Sequence, residues 1–193
     1  MTKPLRLAII VSSTRDGRFG PVVASWFTKL AEGRAEFEVS VVDLAETPLP
    51  ARMTRNPTPD EAAQFAAVTP RFAEADAFVV VTPEYNHSYP AALKNAIDWH
   101  FTQWRAKPIG FVSYGGISGG LRAVEHLRQV FAELHAVTVR DTVSFHNAGG
   151  LFDGDGVPKE PEGCGRAAEV MLDQLAWWGR ALRDANARTP YAA

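Results

Sequence analysis

The sequence has few of the features that mark specialised classes of protein. Its 193 residues include one cysteine, Cys164, which excludes a disulfide framework or a cysteine-based zinc site within one chain. No apolar run approaches the roughly 18–20 residues needed to cross a bilayer. The apolar run near the N-terminus is also too short for a secretory leader. We therefore expect a cytoplasmic protein that does not bind membranes.

Charge and catalytic motifs are sparse as well. The 20 basic and 22 acidic residues give a net charge of −2, and no basic stripe predicts a nucleic-acid partner. The five histidines have no H-E-x-x-H or comparable spacing, and no G-x-S-x-G elbow is present. The sequence therefore predicts neither a metal site nor a catalytic side chain.

Strand-like apolar runs alternate five times with helix-like stretches, which predicts a parallel sheet with helices on both faces. We expect one domain over residues 1–193, with a frayed tail at 185–193. The predicted strands are Leu5–Val11, Phe37–Val42, Ala77–Val81, Pro108–Ser113 and Val137–Val143. The predicted helices are Val22–Leu30, Glu61–Ala75, Ala91–Phe101, Leu121–Leu134 and Arg166–Leu182.

The loop SSTRDGRFGP follows the first predicted strand and leads into a helix. Its hydroxyls, arginines and glycines, together with the unpaired amides of a helix start, are typical of an anion site. The loop is neither G-x-G-x-x-G nor a P-loop, which leaves a monophosphate held without a metal. A hydroxyl-rich turn that only caps the helix remains an alternative. The candidate phosphate contacts are Ser12, Ser13, Arg15, Arg18 and Gly20.

Two further loops follow the third and fourth predicted strands. The turn TPEYNHSYP presents backbone groups and an aromatic face, which suits a flat heterocycle. The segment SYGGISGG has four glycines in six residues and lets backbone approach a ligand closely. A capped turn and a flexible connection are the simpler alternatives. The candidate contacts are Pro83, Glu84, Tyr85, Asn86, Ser113, Tyr114, Gly115, Gly116 and Gly119.

The carboxyl ends of parallel strands meet at one edge of a sheet. Ligands bind there, where the strand order reverses. We therefore expect the three loops to form one site.

These motifs resemble the NADPH-dependent FMN reductase family, which includes quinone, chromate and azo-dye reductases. The most specific element is PEYNHSYPAALKNAIDW, and the likeness extends over about residues 5–185. The resemblance implies a flavodoxin-like three-layer sandwich with strand order 2-1-3-4-5. It also implies FMN as cofactor, NADPH or NADH as hydride donor, and a homodimer or homotetramer.

Carried over to this chain, the resemblance implies that Ser13 and Arg15 contact the FMN phosphate. The PEYN residues would border the isoalloxazine and ribityl chain, largely through backbone. Tyr114, Gly115 and Gly116 would lie along the pyrimidine edge. The family's phosphate loop often has glycine, serine and asparagine at positions where this chain has Ser12, Arg18 and Gly20.

The implied activity is an NAD(P)H oxidoreductase in which FMN takes hydride at N5 and then reduces a small acceptor. The acceptor is a flavin, a quinone, an azo compound or a similar molecule. The alternative is a flavodoxin-like electron carrier that holds FMN without oxidising NAD(P)H. The sequence leaves open the physiological acceptor, NADPH against NADH, dimer against tetramer, and the roles of His87 and of the 44–58 loop.

Overall fold

A computed structural model describes residues 3–192, and its strands form one parallel sheet. The order is β2-β1-β3-β4, with β5 and β6 both pairing with β4 at the far edge. The strands are β1 Leu5–Val11, β2 Phe37–Asp43, β3 Ala77–Pro83, β4 Pro108–Gly115, β5 Val137–Thr138 and β6 Val143–His146. The helices are α1 Gly20–Glu32, α2 Pro59–Glu74, α3 Ala91–Trp99, α4 Leu121–Glu133 and α5 Pro161–Arg188.

Helices cover both faces of the sheet, because alternate side chains of the central strands point to opposite sides. On one face, Leu7 and Ile9 of β1 share a core with residues of α1 and α5. On the other face, Ala8 and Ile10 share a core with residues of α2, α3 and α4. The predicted three-layer sandwich with order 2-1-3-4-5 is confirmed. No helix within residues 3–192 is both long and apolar enough to cross a membrane.

The fifth predicted strand, Val137–Val143, is divided into two short strands. The Arg128 guanidinium donates to the carbonyl oxygens of Val139 and Arg140 at 2.8 and 2.9 Å. The Asp141 amide donates to the Gln174 side chain at 3.2 Å. Side chains thus satisfy backbone groups that a continuous ladder would have used, and the edge strand is interrupted there.

Three helices, α1, α2 and α5, are longer than their sequence patterns predict. Helix α2 begins at Pro59 because Thr58 and Glu61 form a reciprocal capping box. Helix α5 runs from Pro161 to Arg188, so the first part of the expected frayed tail is helical. The Tyr191 hydroxyl beyond it lies 2.8 Å from Nδ1 of His135.

The aromatic residues near the end of α3 separate into core and surface. Trp104 is fully buried and packs against Phe72, Phe78 and Phe131. Phe101 is 48% exposed, beneath the guanidinium of Arg105. Trp104 therefore belongs to the core within the chain, whereas Phe101 is exposed enough to contact another molecule.

Lys107, which precedes β4, is hydrogen-bonded to the end of α2, and its titration should make the stability of the fold depend on pH. Its ammonium donates to the carbonyl oxygens of Phe72 and Ala73, both at 2.9 Å. We expect Lys107→Met to lower the free energy of unfolding by about 1–3 kcal/mol, because both carbonyls lose their donor. Urea unfolding measures this, and Lys29→Met, at an exposed position, is the matched control.

Burial lowers the pKa of Lys107 to about 8, from a usual value of 10.5. Between these two values the unfolded chain binds more protons than the folded chain, so Lys107 makes stability rise with pH. We expect the free energy of unfolding of the wild type to gain a contribution from Lys107 between pH 8 and pH 10. Lys107→Met should lack this contribution. Equal pH slopes in the two proteins would contradict the assignment.

Candidate functional site

Three loops lie at the carboxyl edge of the sheet, after β1, β3 and β4. The Glu84 amide donates to the Tyr114 carbonyl oxygen at 3.1 Å, which joins the second loop to the third. The Arg15 guanidinium lies 5.2 Å from the Tyr85 ring centroid, which places the first loop beside the second. The structure therefore brings the predicted loops together, as the strand order requires.

The first loop presents unpaired backbone donors above two buried serines. Ser12 and Ser13 are fully buried, and neither hydroxyl has a hydrogen-bond partner within residues 3–192. In the same described range, the amide N–H groups of Ser13, Thr14 and Arg15 meet no acceptor in the chain. An anion seated on this loop would satisfy these amides, because successive backbone N–H groups of a loop can form an anion-binding concavity. They precede the start of α1 at Gly20, so the free donors belong to the loop and not to the helix start that the sequence predicted.

The two predicted phosphate-binding arginines have different surroundings. Arg15 is exposed, and no carboxylate of the described residues forms an ion pair with it. Arg18 is directed instead to Asp43, with Nη1 2.6 and 2.7 Å from its carboxylate oxygens. The Asp43 hydrogen bond raises the pKa of Arg18. Arg15 is thus the cation available to a phosphate, whereas Arg18 holds the loop.

Asp43 is a functional residue that the sequence analysis missed. It ends β2 at the same sheet edge as the three loops, and that position was the available signal. Its partner Arg18 also donates to the Ser13 carbonyl oxygen at 3.1 Å. The ion pair therefore fixes the loop at Ser13.

This tie predicts that Arg18→Met destabilises the fold by about 2–4 kcal/mol, because it leaves the largely buried Asp43 carboxylate without its cation. The double variant Arg18→Met/Asp43→Asn removes the uncompensated charge and should recover part of the loss. Chemical denaturation of the two single variants and the double variant measures the coupling. Strictly additive losses would mean that the pair does not form.

The turn after β3 is a tight two-residue reversal. Tyr85 and Ser88 exchange backbone hydrogen bonds of 2.8 and 3.1 Å. Asn86 and His87 between them have positive φ angles of 49° and 74°, which fits the geometry of a type I′ turn. Asparagine tolerates this conformation better than most residues. The turn presents the Tyr85 ring toward Arg15 at the sheet edge.

Glu84 connects this turn to the third loop through its side chain. Its carboxylate, 6% exposed, lies 2.7 Å from the Arg122 guanidinium and accepts from the Ser118 hydroxyl at 2.5 Å. Arg122 also lies 2.9 Å from Nδ1 of His87. The predicted ligand contact Glu84 thus has its side chain and its amide N–H engaged within the chain, which leaves its carbonyl oxygen for a ligand. Arg122 and Ser118 were missed, because their pairing with Glu84 depends on the turn after β3 meeting the third loop and the first turn of α4.

The glycine loop is shaped by close contacts from beneath. The Gly119 carbonyl oxygen accepts from the hydroxyls of Ser113 and Ser144, at 2.8 and 2.9 Å. Gly119 has φ +60°, and a Cβ there would overlap Ser144 and His146. Ser113 and Gly119 therefore hold the loop in shape. Gly116 has open space above it, so its backbone is accessible to a ligand.

The side chain of Tyr114 packs into the core and not toward the sheet edge. Its ring lies edge-on to Phe19, 6.1 Å between centroids, within the core shared by α1 and α5. The side chain is therefore beside the first loop, near Gly20, and only the backbone of Tyr114 is left to face a ligand at the sheet edge. Burial raises the pKa of Tyr114 to about 12, so its hydroxyl remains protonated at physiological pH.

The residues present fit FMN. The free amides and exposed Arg15 suit a phosphate dianion, and the backbone of the tight turn and of Gly116 suits a flat ring with donors and acceptors at its edge. Beside Thr14 lies a cavity of about 500 Å³, which is large enough for a small aromatic molecule. Its walls are mainly apolar residues of the 44–51 segment and the start of α3. Asn95 and Trp99 hold that segment in place by donating to the carbonyl oxygen of Pro50.

The amino-acid sequence of this chain is similar to those of known proteins. A profile of the family described as NADPH-dependent FMN reductase matches residues 5–150. An NAD(P)H-dependent FMN reductase of Schizosaccharomyces pombe is 35% identical over 125 residues, which are 60% of each chain. A 2-hydroxy-1,4-benzoquinone reductase of a Burkholderia species is 29% identical over 187 residues, covering 93% of this chain and 98% of that one.

The fold has solved counterparts as well. A flavoenzyme NAD(P)H:(acceptor) oxidoreductase from Paracoccus denitrificans superposes with a TM-score of 0.69 at 24% identity. The match covers 92% of this chain and 98% of that chain. At this identity the likeness establishes the shared fold.

Proposed function

Because the chain belongs to the NADPH-dependent FMN reductase family, we propose that it oxidises NAD(P)H through bound FMN and reduces a quinone-type acceptor. The family assignment confirms the predicted oxidoreductase class and FMN as the cofactor. The observation that carries the proposal is the meeting of the three loops at one sheet edge, where the amides of Ser13, Thr14 and Arg15 have no acceptor within residues 3–192.

The chain's own residues divide the work of holding the cofactor. The loop amides and Arg15 bind the phosphate, and the turn from Pro83 to Asn86 supports the ring through backbone groups. The backbone at Gly115 and Gly116 faces the pyrimidine edge, where fixed N–H groups stabilise negative charge. When bound, FMN supplies hydride acceptance and electron delivery, so no side-chain nucleophile is needed.

The proposed acceptor class follows from a relative and from the cavity. A relative matched over nearly its whole length is named a 2-hydroxy-1,4-benzoquinone reductase. The cavity beside Thr14 is lined largely by leucine, proline and alanine side chains, which suits a flat apolar ring. A quinone matches both features better than a charged oxyanion.

Spectroscopy under anaerobic conditions tests the proposal. We expect the protein reconstituted with FMN to show flavin bands that bleach on addition of NADPH and return on addition of 1,4-benzoquinone. Bands that persist until dithionite is added would favour the electron carrier. A protein that takes up no FMN would overturn the site assignment.

Assembly and location belong to the same proposal. Exposed apolar side chains at Ile117 (86%) and Trp177 (63%) support a homodimer or homotetramer, because such groups are commonly covered by a second copy. Sedimentation of the FMN-loaded protein distinguishes these two states from a monomer. The cytoplasmic location stays a prediction, which fractionation of the source cell tests.

A further inference from the structure

Two hydroxyl groups are buried together beneath the phosphate loop without hydrogen-bond partners. Ser13 is fully buried, and Tyr114 is 6% exposed. Within residues 3–192, neither the Ser13 Oγ nor the Tyr114 hydroxyl oxygen has a partner. Buried hydroxyls are seldom left unpaired, because each has given up its hydrogen bonds to water. Such a pair beside a ligand site calls for a functional explanation.

Both hydroxyls converge on the first residue of α1. A Cβ at Gly20 would overlap the Ser13 Oγ and would lie 2.8 Å from the Tyr114 hydroxyl oxygen. The two groups therefore share the space that the absent side chain leaves. Burial raises the pKa of the Tyr114 hydroxyl, and the nearby Ser13 side chain acts in the opposite direction, as a hydrogen-bonding neighbour does. The glycine at position 20 is what makes room for them.

Ser13 is also held from its other side. Arg18 donates to the Ser13 carbonyl oxygen at 3.1 Å and is itself fixed by Asp43. The Ser13 backbone is therefore anchored next to the free amides of Thr14 and Arg15. The remaining freedom of Ser13 is the rotation of its hydroxyl.

From this arrangement we infer that Tyr114 is a positioning residue for phosphate, acting through Ser13. The Tyr114 hydroxyl donates to the Ser13 Oγ, which leaves the Ser13 hydrogen directed to a phosphate oxygen. The chain of two hydrogen bonds needs no proton transfer, and polarisation along it strengthens the bond to an anion. The inference rests on the proposed function only in naming FMN as the molecule that carries the phosphate.

Tyr114→Phe tests the role with two flavins. We expect FMN to bind about three- to tenfold more weakly, which is the effect of one lost hydrogen bond, and riboflavin to bind unchanged because it has no phosphate. Quenching of flavin fluorescence measures both affinities. The matched control is Tyr191→Phe, whose hydroxyl contacts His135 away from the loop and whose loss should change neither affinity.

A double-mutant cycle separates this role from simple packing. If Tyr114 acts through Ser13, then Tyr114→Phe has no further effect on FMN binding once Ser13→Ala is present. Independent, multiplying losses in the cycle would overturn the inference. An equal loss of riboflavin and FMN affinity in Tyr114→Phe would overturn it as well.

Inorganic phosphate gives a readout that does not depend on the flavin. We expect phosphate to raise the melting temperature of the flavin-free wild type more than that of Tyr114→Phe. Equal shifts in the two proteins would contradict the role of Tyr114. A wild type that responds to phosphate and binds no FMN would overturn the proposed function while leaving this inference standing.

Discussion

Gly120→Ala is expected to lower the free energy of unfolding by about 2–4 kcal/mol, since it combines backbone strain with a steric clash. Gly120 precedes α4 with φ +86°, in the left-handed region. A Cβ there would lie 2.7 Å from the Ser113 Cβ and 3.0 Å from the Tyr114 amide nitrogen. The Tyr114 nitrogen belongs to the buried strand β4, so it cannot move aside cheaply.

Gly116→Ala is the matched control for this variant. Gly116 is in the same loop, but it has a φ outside the positive region, and a Cβ there would meet no atom within 4 Å. Urea unfolding of both variants measures the difference, and we expect Gly116→Ala to remain close to wild type. Similar stabilities for the two variants would show that Gly120 does not adopt the left-handed conformation in solution.

Arg15→Ala is expected to weaken FMN binding more than tenfold. Its guanidinium has no carboxylate partner in the part of the chain that the structure describes, so it is free to pair with the phosphate dianion. A charge-assisted hydrogen bond of this kind contributes about 1.5–3 kcal/mol. Because Arg15 is exposed, its loss should leave the stability of the flavin-free protein nearly unchanged.

Fluorescence titration with FMN and with riboflavin measures the Arg15 effect. Riboflavin affinity should change little, since the ring-binding backbone is untouched. Arg166→Ala removes another exposed arginine, from α5, and controls for net charge. Undiminished FMN affinity in Arg15→Ala would remove Arg15 from the phosphate site.

Arg15 and Arg18 show where sequence reasoning reaches its limit. Both are cations in a loop before a helix, and the residues of the loop alone made both of them candidate phosphate contacts. In the structure their roles differ, because Asp43 lies at the end of the neighbouring strand and forms an ion pair with Arg18. A pairing between residues 25 positions apart depends on strand order, which local patterns do not report.

The direction of the Tyr114 side chain is a second feature that the sequence alone did not predict. The family resemblance implies that Tyr114 lies along the pyrimidine edge of the flavin, and its backbone is at the carboxyl end of β4. The direction of its side chain follows from strand alternation in β4, which turns the ring toward α1. Whether space exists for its hydroxyl depends on Gly20, and only the packing of α1 on β4 reveals that.

The sequence by itself determined the layered α/β fold, the order of strands and helices, the three loops and the family. These follow from apolar periodicity and from short contiguous motifs, both of which are local properties of the chain. The tertiary structure alone decided which polar groups form bonds within the chain that hold the loops, and which remain free to bind a ligand. That division depends on contacts between distant segments, such as Arg18 with Asp43 and Glu84 with Arg122.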